Sequence, residues 1–432
     1  MKKLFSILIT AALLLASLSG CASKPASSAA AAGSTQKADD AVNLTWAVFY
    51  TDNYTEEFWQ KIIDTFEADN PGIKIEKVIM TGDSRPQFLK TMLAAGNMPD
   101  ICLDPGEVAK ADGIFAEIPA DLIAKYEDAT IVKNNGKVNT IPASIQLRSQ
   151  VYYNKKMFAD AGVAVPKTWD EFLQVCETLK SKNVTPLITA GASDIWATSF
   201  GYWVNVVNSE AYTKYPNLNQ DMLDGKIKWD DDVFVDTVTA WQDMVKAGYY
   251  DKGSLSYSYT QASSQFLAGT AAMMMDGSWV APTVDNDTSI PKDTFGCFPC
   301  PVPSGAKTYC ASPGYWAVSE SCQNKEAAFK FCEYVLGGNK DLYKYFLQQD
   351  GLFSVTKTPV TYELGALQQE FMDNYEGYTL VPELTKAQGD VALPSGMEDY
   401  LLKSLQTVFA GEDVKATLAD CDAQMETLMA AK

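Results

Sequence analysis

Apolar residues recur along this chain in two rhythms, one of strands and one of helices. Residues 44–50 have the apolar, β-prone character of a strand. Behind them Phe58, Ile62 and Phe66 fall at helical spacing, and Trp59 and Ile63 widen the stripe. Asn70-Pro71-Gly72 ends that helix, and Ile73-Lys74-Ile75-Glu76 alternates as a second strand. Pro86 suits the first turn of another helix, with Arg85 in the loop before it. Phe88, Leu89, Met92 and Leu93 form the apolar face of that helix, and Gly96 suits its C-terminal cap. Asp100-Ile101-Cys102-Leu103 is a short third strand that ends at Asp104. Strand-helix-strand-helix-strand predicts an α/β unit with a largely parallel sheet.

A second unit of the same kind begins near Val151. Thr168-Trp169-Asp170-Glu171 reads as a capping box after Pro166, and Phe172, Cys176 and Leu179 follow on one helical face. Residues 186–189 are the next strand. Phe234, Val238, Trp241 and Val245 mark a helix closed by Gly248. Residues 271–275 are a buried strand running into Asp276-Gly277-Ser278-Trp279. The stretch 363–431 reads as mostly helical, and no repeat of fixed period appears.

The N-terminus has another character. Lys2 and Lys3 precede a mostly apolar run, residues 4–18, shorter than the ~20 residues of a spanning helix. That is the pattern of a signal peptide over 1–20. It ends in Leu18-Ser19-Gly20-Cys21, which resembles the bacterial lipobox. By that resemblance Cys21 is diacylated and becomes the mature N-terminus. Two acyl chains, at ~0.8 kcal/mol per buried CH₂, anchor a soluble body stably where one does not. Residues 22–40 are rich in Ala and Ser without apolar periodicity, so 21–43 reads as a lipidated Cys and a flexible tether.

The body that follows is long for one hydrophobic core, and two lobes are expected. The formal charge of the chain is −19, and loss of Lys2 and Lys3 with the signal makes it −21. Such acidity argues against nucleic-acid partners and against electrostatic binding to anionic lipid, and it leaves cationic solutes open. Of nine Cys, eight remain beside Cys21, an even number compatible with disulfides in an exported protein. Cys102 and Cys176 look like core residues. Cys297-Phe298-Pro299-Cys300 has no second pair at zinc-finger spacing, so no metal site is expected. The chain holds no His, which removes Ser-His-Asp and Cys-His catalysis.

Several segments, taken in order, resemble the extracellular solute-binding proteins of sugar ABC importers, of the maltose-binding-protein type (family 1). They are Phe66-Glu67-Ala68-Asp69-Asn70-Pro71-Gly72, Leu93-Ala94-Ala95-Gly96-Asn97-Met98-Pro99-Asp100, Tyr152-Tyr153-Asn154-Lys155, and Pro166-Lys167-Thr168-Trp169. Phe266-Leu267-Ala268-Gly269-Thr270-Ala271, Gly277-Ser278-Trp279 and Gly314-Tyr315-Trp316-Ala317-Val318-Ser319 follow. Each is weak alone; the ordered set behind a lipobox is specific and spans nearly the whole body. The resemblance implies an α/β, two-lobe, periplasmic-binding-protein-like (type II) fold with a ligand cleft between lobes. It places residues 44–150 and 302–353 in the first lobe and 151–301 and 354–432 in the second. Hinges then fall near 150–153, 301–303 and 353–355, and the lobes close on the ligand. The implied partners are a small-molecule sugar and ABC permease subunits with their ATPase, the protein itself being a monomer with no cofactor.

A sugar needs a flat apolar plate for its C–H faces and directional hydrogen bonds for its hydroxyls; Trp supplies the first, Asp, Asn and Arg the second. Ligands of open α/β sheets bind beyond the carboxyl ends of strands. Asp52 follows the first strand and Asp104 the third, so both point to the cleft, although Asp52 is equally placed to cap a helix and Asp104 to open a turn. Arg85 is a loop donor or a solvated charge. Trp196, in a loop-like stretch after a strand, Trp279 after residues 271–275, and Tyr315 and Trp316 after Gly314 lie where the resemblance places sugar-facing aromatics. Core packing is the alternative for each. Another function class, a carboxylate-based glycoside hydrolase, needs an acid pair ~5–10 Å apart, and no such constellation is recognisable. A binder of a different solute, a polyamine or a peptide-like compound, is the nearer alternative.

Overall fold

The computed structural model describes residues 41–82, 84–148 and 150–431. The signal-like segment, Cys21 and most of the tether lie outside the described residues. In chain order the strands are β1 (Val42–Val48), β2 (Ile73–Ile79), β3 (Ile101–Leu103), β4 (Ile141–Leu147), β5 (Gln150–Asn154), β6 (Thr185–Ile188), β7 (Ala271–Asp276), β8 (Phe295–Phe298), β9 (Thr308–Val318) and β10 (Thr379–Pro382).

They form two sheets. In the first, β1 runs parallel to β2 and β3, as the strand-helix alternation requires. The long β9 then joins antiparallel to β3 and β4 and parallel to β10. The second sheet has the order β6-β7-β5-β8. Only β6 and β7 are parallel there; β5 is antiparallel to both neighbours. Both sheets are therefore mixed rather than largely parallel. The antiparallel partners are distant in the chain, as Gln150 with Asp276 and Ile101 with Val318 show, beyond what a local pattern encodes.

Side chains alternate across the second sheet with period two. Tyr152, Met274, Phe295 and Cys297 face one cluster that includes Phe266 and Phe371. Val151, Met273 and Phe298 face another with Phe172, Leu187 and Trp241. The first sheet is packed around Trp46, Phe66, Cys102, Trp316 and Phe331. The chain leaves β4 at Leu147 and enters the second sheet at Gln150.

Three local readings change. The helix Trp169–Ser181 is capped by Thr168, whose hydroxyl accepts from the Glu171 N–H at 3.3 Å. The Glu171 carboxylate, however, accepts from the Lys167 N–H at 2.6 Å rather than from Thr168. The reciprocal box belongs instead to Ser258 and Gln261, at the helix Tyr259–Leu267. The stretch 363–431 is interrupted: the helix Ala366–Asp373 is followed by β10 and two short 3₁₀ turns before Met397–Ala410 and Val414–Ala430. β10, inside the stretch assigned to the second lobe, hydrogen-bonds to β9 of the first sheet. The eight cysteines of the described residues are free and buried, so they serve the core rather than cross-links.

Candidate functional site

A cavity of about 800 Å³ lies between the two sheets, in the range of small-molecule sites. Its first wall rises from the ends of β1 and β3 and from β4. Its second wall is built on β7 and on the helices Ile195–Tyr202 and Tyr259–Leu267.

The second wall is aromatic. Trp196, Phe200, Tyr259 and Trp279 all line the cavity. The Trp196 ring centroid is 5.0 Å from Tyr259 and 6.1 Å from Trp279, and Phe200 is 5.3 Å from Trp279. Trp196 is not in a loop; it is the second residue of the helix Ile195–Tyr202, which fixes its direction. Trp279 is half-buried and ends the turn after β7. That turn depends on Gly277, since a Cβ there would stand 2.1 Å from the Trp279 ring. The indole is also held from its polar edge. Trp279 Nε1 donates to the Tyr259 hydroxyl at 2.6 Å, and that hydroxyl donates to Asp276 Oδ2 at 2.8 Å. Asp276 is 2 % exposed. Burial pushes its carboxyl up to about 7, although the Gly277 N–H and the Tyr259 hydroxyl favour its charged form.

The first wall carries the hydrogen-bonding groups, and most were not legible in the sequence. Asp350 accepts from Asn53 Nδ2 and from Gln146 Nε2, each at 2.9 Å. Burial pushes Asp350 up to about 6, against the pull of these two amides. Gln146 Oε1 accepts from Arg148 Nη1, and Arg148 Nε donates to Glu383 at 2.5 Å. The Arg148–Glu383 pair is nearly sequestered, with side chains 11 % and 4 % exposed. The result is a continuous donor-acceptor chain along the wall. Across the cavity, Thr283 Oγ1 donates to Asn53 Oδ1 at 3.2 Å.

The residues read from sequence divide into three groups. Asp52 is exposed and lines the cavity, and Thr55 rather than Asp52 caps the helix Glu56–Asp69. Arg85 is the first residue of the helix Arg85–Ala94 rather than a loop residue. Its guanidinium lies 3.4 Å over the Phe49 ring and pairs with Asp104 at 2.5 Å. Asp104 has φ +45°, a left-handed turn conformation that Asp tolerates better than most residues. The cavity thus brings together Asp52, Arg85, Asp104, Trp196 and Trp279. Tyr315 and Trp316 are different: both are 2 % exposed. The Tyr315 hydroxyl donates to the Thr130 carbonyl at 2.9 Å. The Trp316 ring centroid lies 5.1 Å from Trp46 and 5.9 Å from Phe346, deep in the first core. Both are among the residues that line the cavity, but nearly all of each side chain is buried in the protein. Their neighbours in β9 are legible as strand, but which face of a doubly covered sheet meets the cavity is not.

The nearest sequence signal for a missed residue was Ser258-x-x-Gln261, which marks the start of the helix bearing Tyr259. Asp350, Gln146, Arg148 and Glu383 meet only through the tertiary fold, and no spacing announces them.

A cavity walled by two α/β sheets, aromatic on one side and hydrogen-bonding on the other, defines a solute-capture protein. The pattern of the bacterial extracellular solute-binding proteins matches residues 52–337, and the chain belongs to that family. It is similar to a multiple sugar-binding protein of Streptococcus mutans serotype c, 28% identical over 302 residues that cover 66% of this chain and 69% of the relative. Its fold is similar to that of a chitin oligosaccharide binding protein, with TM-score 0.77 at 24% identity over 90% of this chain and 100% of that one. It is similar also to a sugar transporter structure from Bacillus licheniformis in complex with stachyose, with TM-score 0.73 at 21% identity over 90% and 100% of the two chains.

Proposed function

We propose that the protein binds a carbohydrate, a mono- or oligosaccharide, in this cavity outside the cell and delivers it to an ABC import permease without chemical change. The observation that carries this reading is the opposition of the two walls. An aromatic cluster around Trp279 faces an amide-carboxylate chain through Asn53, Asp350 and Gln146, with Asp52, Arg85 and Asp104 beside it. A pyranose ring, apolar on its faces and polar at its edge, matches both. The sugars named for the relatives agree. The non-catalytic reading is supported by Asp276 and Asp350, whose carboxyl oxygens are each already engaged by neighbouring donors.

One observation favours a second reading. Among the described cavity residues, eight are carboxylates and three are Arg or Lys. Such an excess attracts a cationic solute such as a polyamine. A thermal-shift panel of sugars, polyamines and peptides separates the two, because a ligand stabilises the native state by RT ln(1 + [L]/Kd). A sugar at a hundred times its Kd raises stability by about 2.7 kcal/mol. A shift with spermidine and none with any sugar would reject the carbohydrate.

The anchor is part of the same proposal. A lipid-modified Cys21 would hold the monomeric protein, through its tether, on the outer face of the cytoplasmic membrane. Cys21→Ala should release the body or leave the precursor uncleaved in membrane fractionation. Mature, membrane-bound Cys21→Ala protein would remove the anchor from the account.

A further inference from the structure

Trp279 is held by a relay that reaches beyond the cavity. Its indole N–H donates to the Tyr259 hydroxyl at 2.6 Å, and that hydroxyl donates to Asp276 Oδ2 at 2.8 Å. The other Asp276 oxygen accepts the Gly277 N–H at 2.8 Å. The Gly277 carbonyl in turn accepts from the Tyr152 hydroxyl at 2.8 Å. We infer that Asp276, which does not line the cavity, is a positioning residue for ligand binding: it orients the Tyr259 hydroxyl and thereby fixes the plane of the Trp279 ring. The inference rests on the reading of Trp279 as a ligand-facing plate, but its first test needs no ligand.

Tyr259 has one hydrogen to give, and the carboxylate takes it. The phenol oxygen is then left free to accept from the indole, which is a donor only. This bond is 2.8 Å long and its acceptor is buried away from competing water, so the pair is held in one arrangement. Both oxygens of Asp276 are committed, one to the side chain that holds the ring and one to the turn that carries it. One buried carboxylate therefore ties the plate to the end of β7. An alanine at 276 leaves Tyr259 free to swing, and the indole with it. An asparagine behaves differently. Its Oδ1 keeps the Gly277 N–H, and its Nδ2 donates to the Tyr259 oxygen, which still accepts from Trp279. The ring stays held, with the sense of one bond reversed.

The test is the indole N–H spectrum of the mature protein labelled with ¹⁵N-tryptophan, with the Trp279 signal assigned by its loss in Trp279→Phe. In Tyr259→Phe the exchange of that proton with solvent should accelerate about fivefold, the worth of one hydrogen bond. Asp276→Ala should accelerate it by a comparable factor, and Asp276→Asn should restore it to within about twofold of the wild type. The remaining indole signals should stay in place. If Asp276→Ala leaves the Trp279 signal unchanged while Tyr259→Phe moves it, the relay stops at Tyr259 and the inference is overturned. If Asp276→Ala and Asp276→Asn both scatter all the indole signals, Asp276 serves the fold and not the ring, which also overturns it. Failure of the plate reading looks different: the relay signature would hold, and Trp279→Ala would still bind sugar normally.

Discussion

Trp279 joins the sequence, the turn and the ligand in one side chain. The sequence delivers a strand, then Asp-Gly-Ser-Trp, and Gly277 is what lets the indole fold back over the turn. A half-buried Trp on a cavity wall presents a large flat face with few rotors to freeze. Truncating such a central aromatic typically costs at least ~2 kcal/mol of binding, about thirtyfold in Kd. Trp279→Ala should therefore weaken sugar binding by that much in calorimetric titration while unfolding in denaturant stays close to normal. A loss of ~3–5 kcal/mol of stability with intrinsic affinity retained would make Trp279 a core residue instead. At this scale the sequence was partly legible. Trp196 and Trp279 stand out because each follows a strand and few other residues nearby are as large. Trp316 carries the same local signal after Gly314, yet it stacks among Trp46, Phe331 and Phe346. The sign of that difference lies in which face of β9 meets the helix Lys325–Glu333, and adjacent positions alone do not reveal it.

Among the elements, the helix Ile195–Tyr202 sets the aromatic wall. It crosses β7 at Gly201, where a Cβ would stand 2.3 Å from both the Cβ and the carbonyl oxygen of Met275. The backbone contact lets the helix lie against the strand and brings Trp196 and Phe200 beside Trp279. Gly201→Ala should push the helix off β7 at a cost of about 1–3 kcal/mol, the usual range for overpacking. Urea unfolding would report it as a lower midpoint at unchanged slope. A midpoint equal to that of the wild type would mean that the wall is not braced there. Helices with clear amphipathic stripes, such as Glu56–Asp69 and Asp232–Lys246, were legible because burial and periodicity agree. The helix Ile195–Tyr202 was not. Six of its eight residues are buried, so it has no polar face to betray its period. β10 was missed for the opposite reason: with Leu380 49 % exposed and Pro382 at its end, it is a short edge strand without alternation.

Over the whole molecule, the acidic composition, the two sheets and the cavity between them fit the proposed capture of a solute. Two α/β units were legible from the alternation of strands and helices. The sheet membership of β9 and β10 was not, because those pairings join segments far apart in the chain, Cys102 with Ala317 and Thr379 with Thr308 among them. The hinge segments 150–153, 301–303 and 353–355 remain a proposal. It is supported by the passage from β4 to β5 and by the paired hydrogen bonds of Phe353 with Ile145, at 2.8 and 2.9 Å, which tie the third segment to β4 just before that passage. Closure around a ligand follows if these segments bend while the sheets stay rigid. The direct measurement is small-angle X-ray scattering of the mature protein, free and then saturated with the sugar that raises its melting temperature most. The account predicts that the radius of gyration falls on binding, and that the fall saturates with the calorimetric Kd. A sugar that binds stoichiometrically and leaves the radius of gyration unchanged would contradict it.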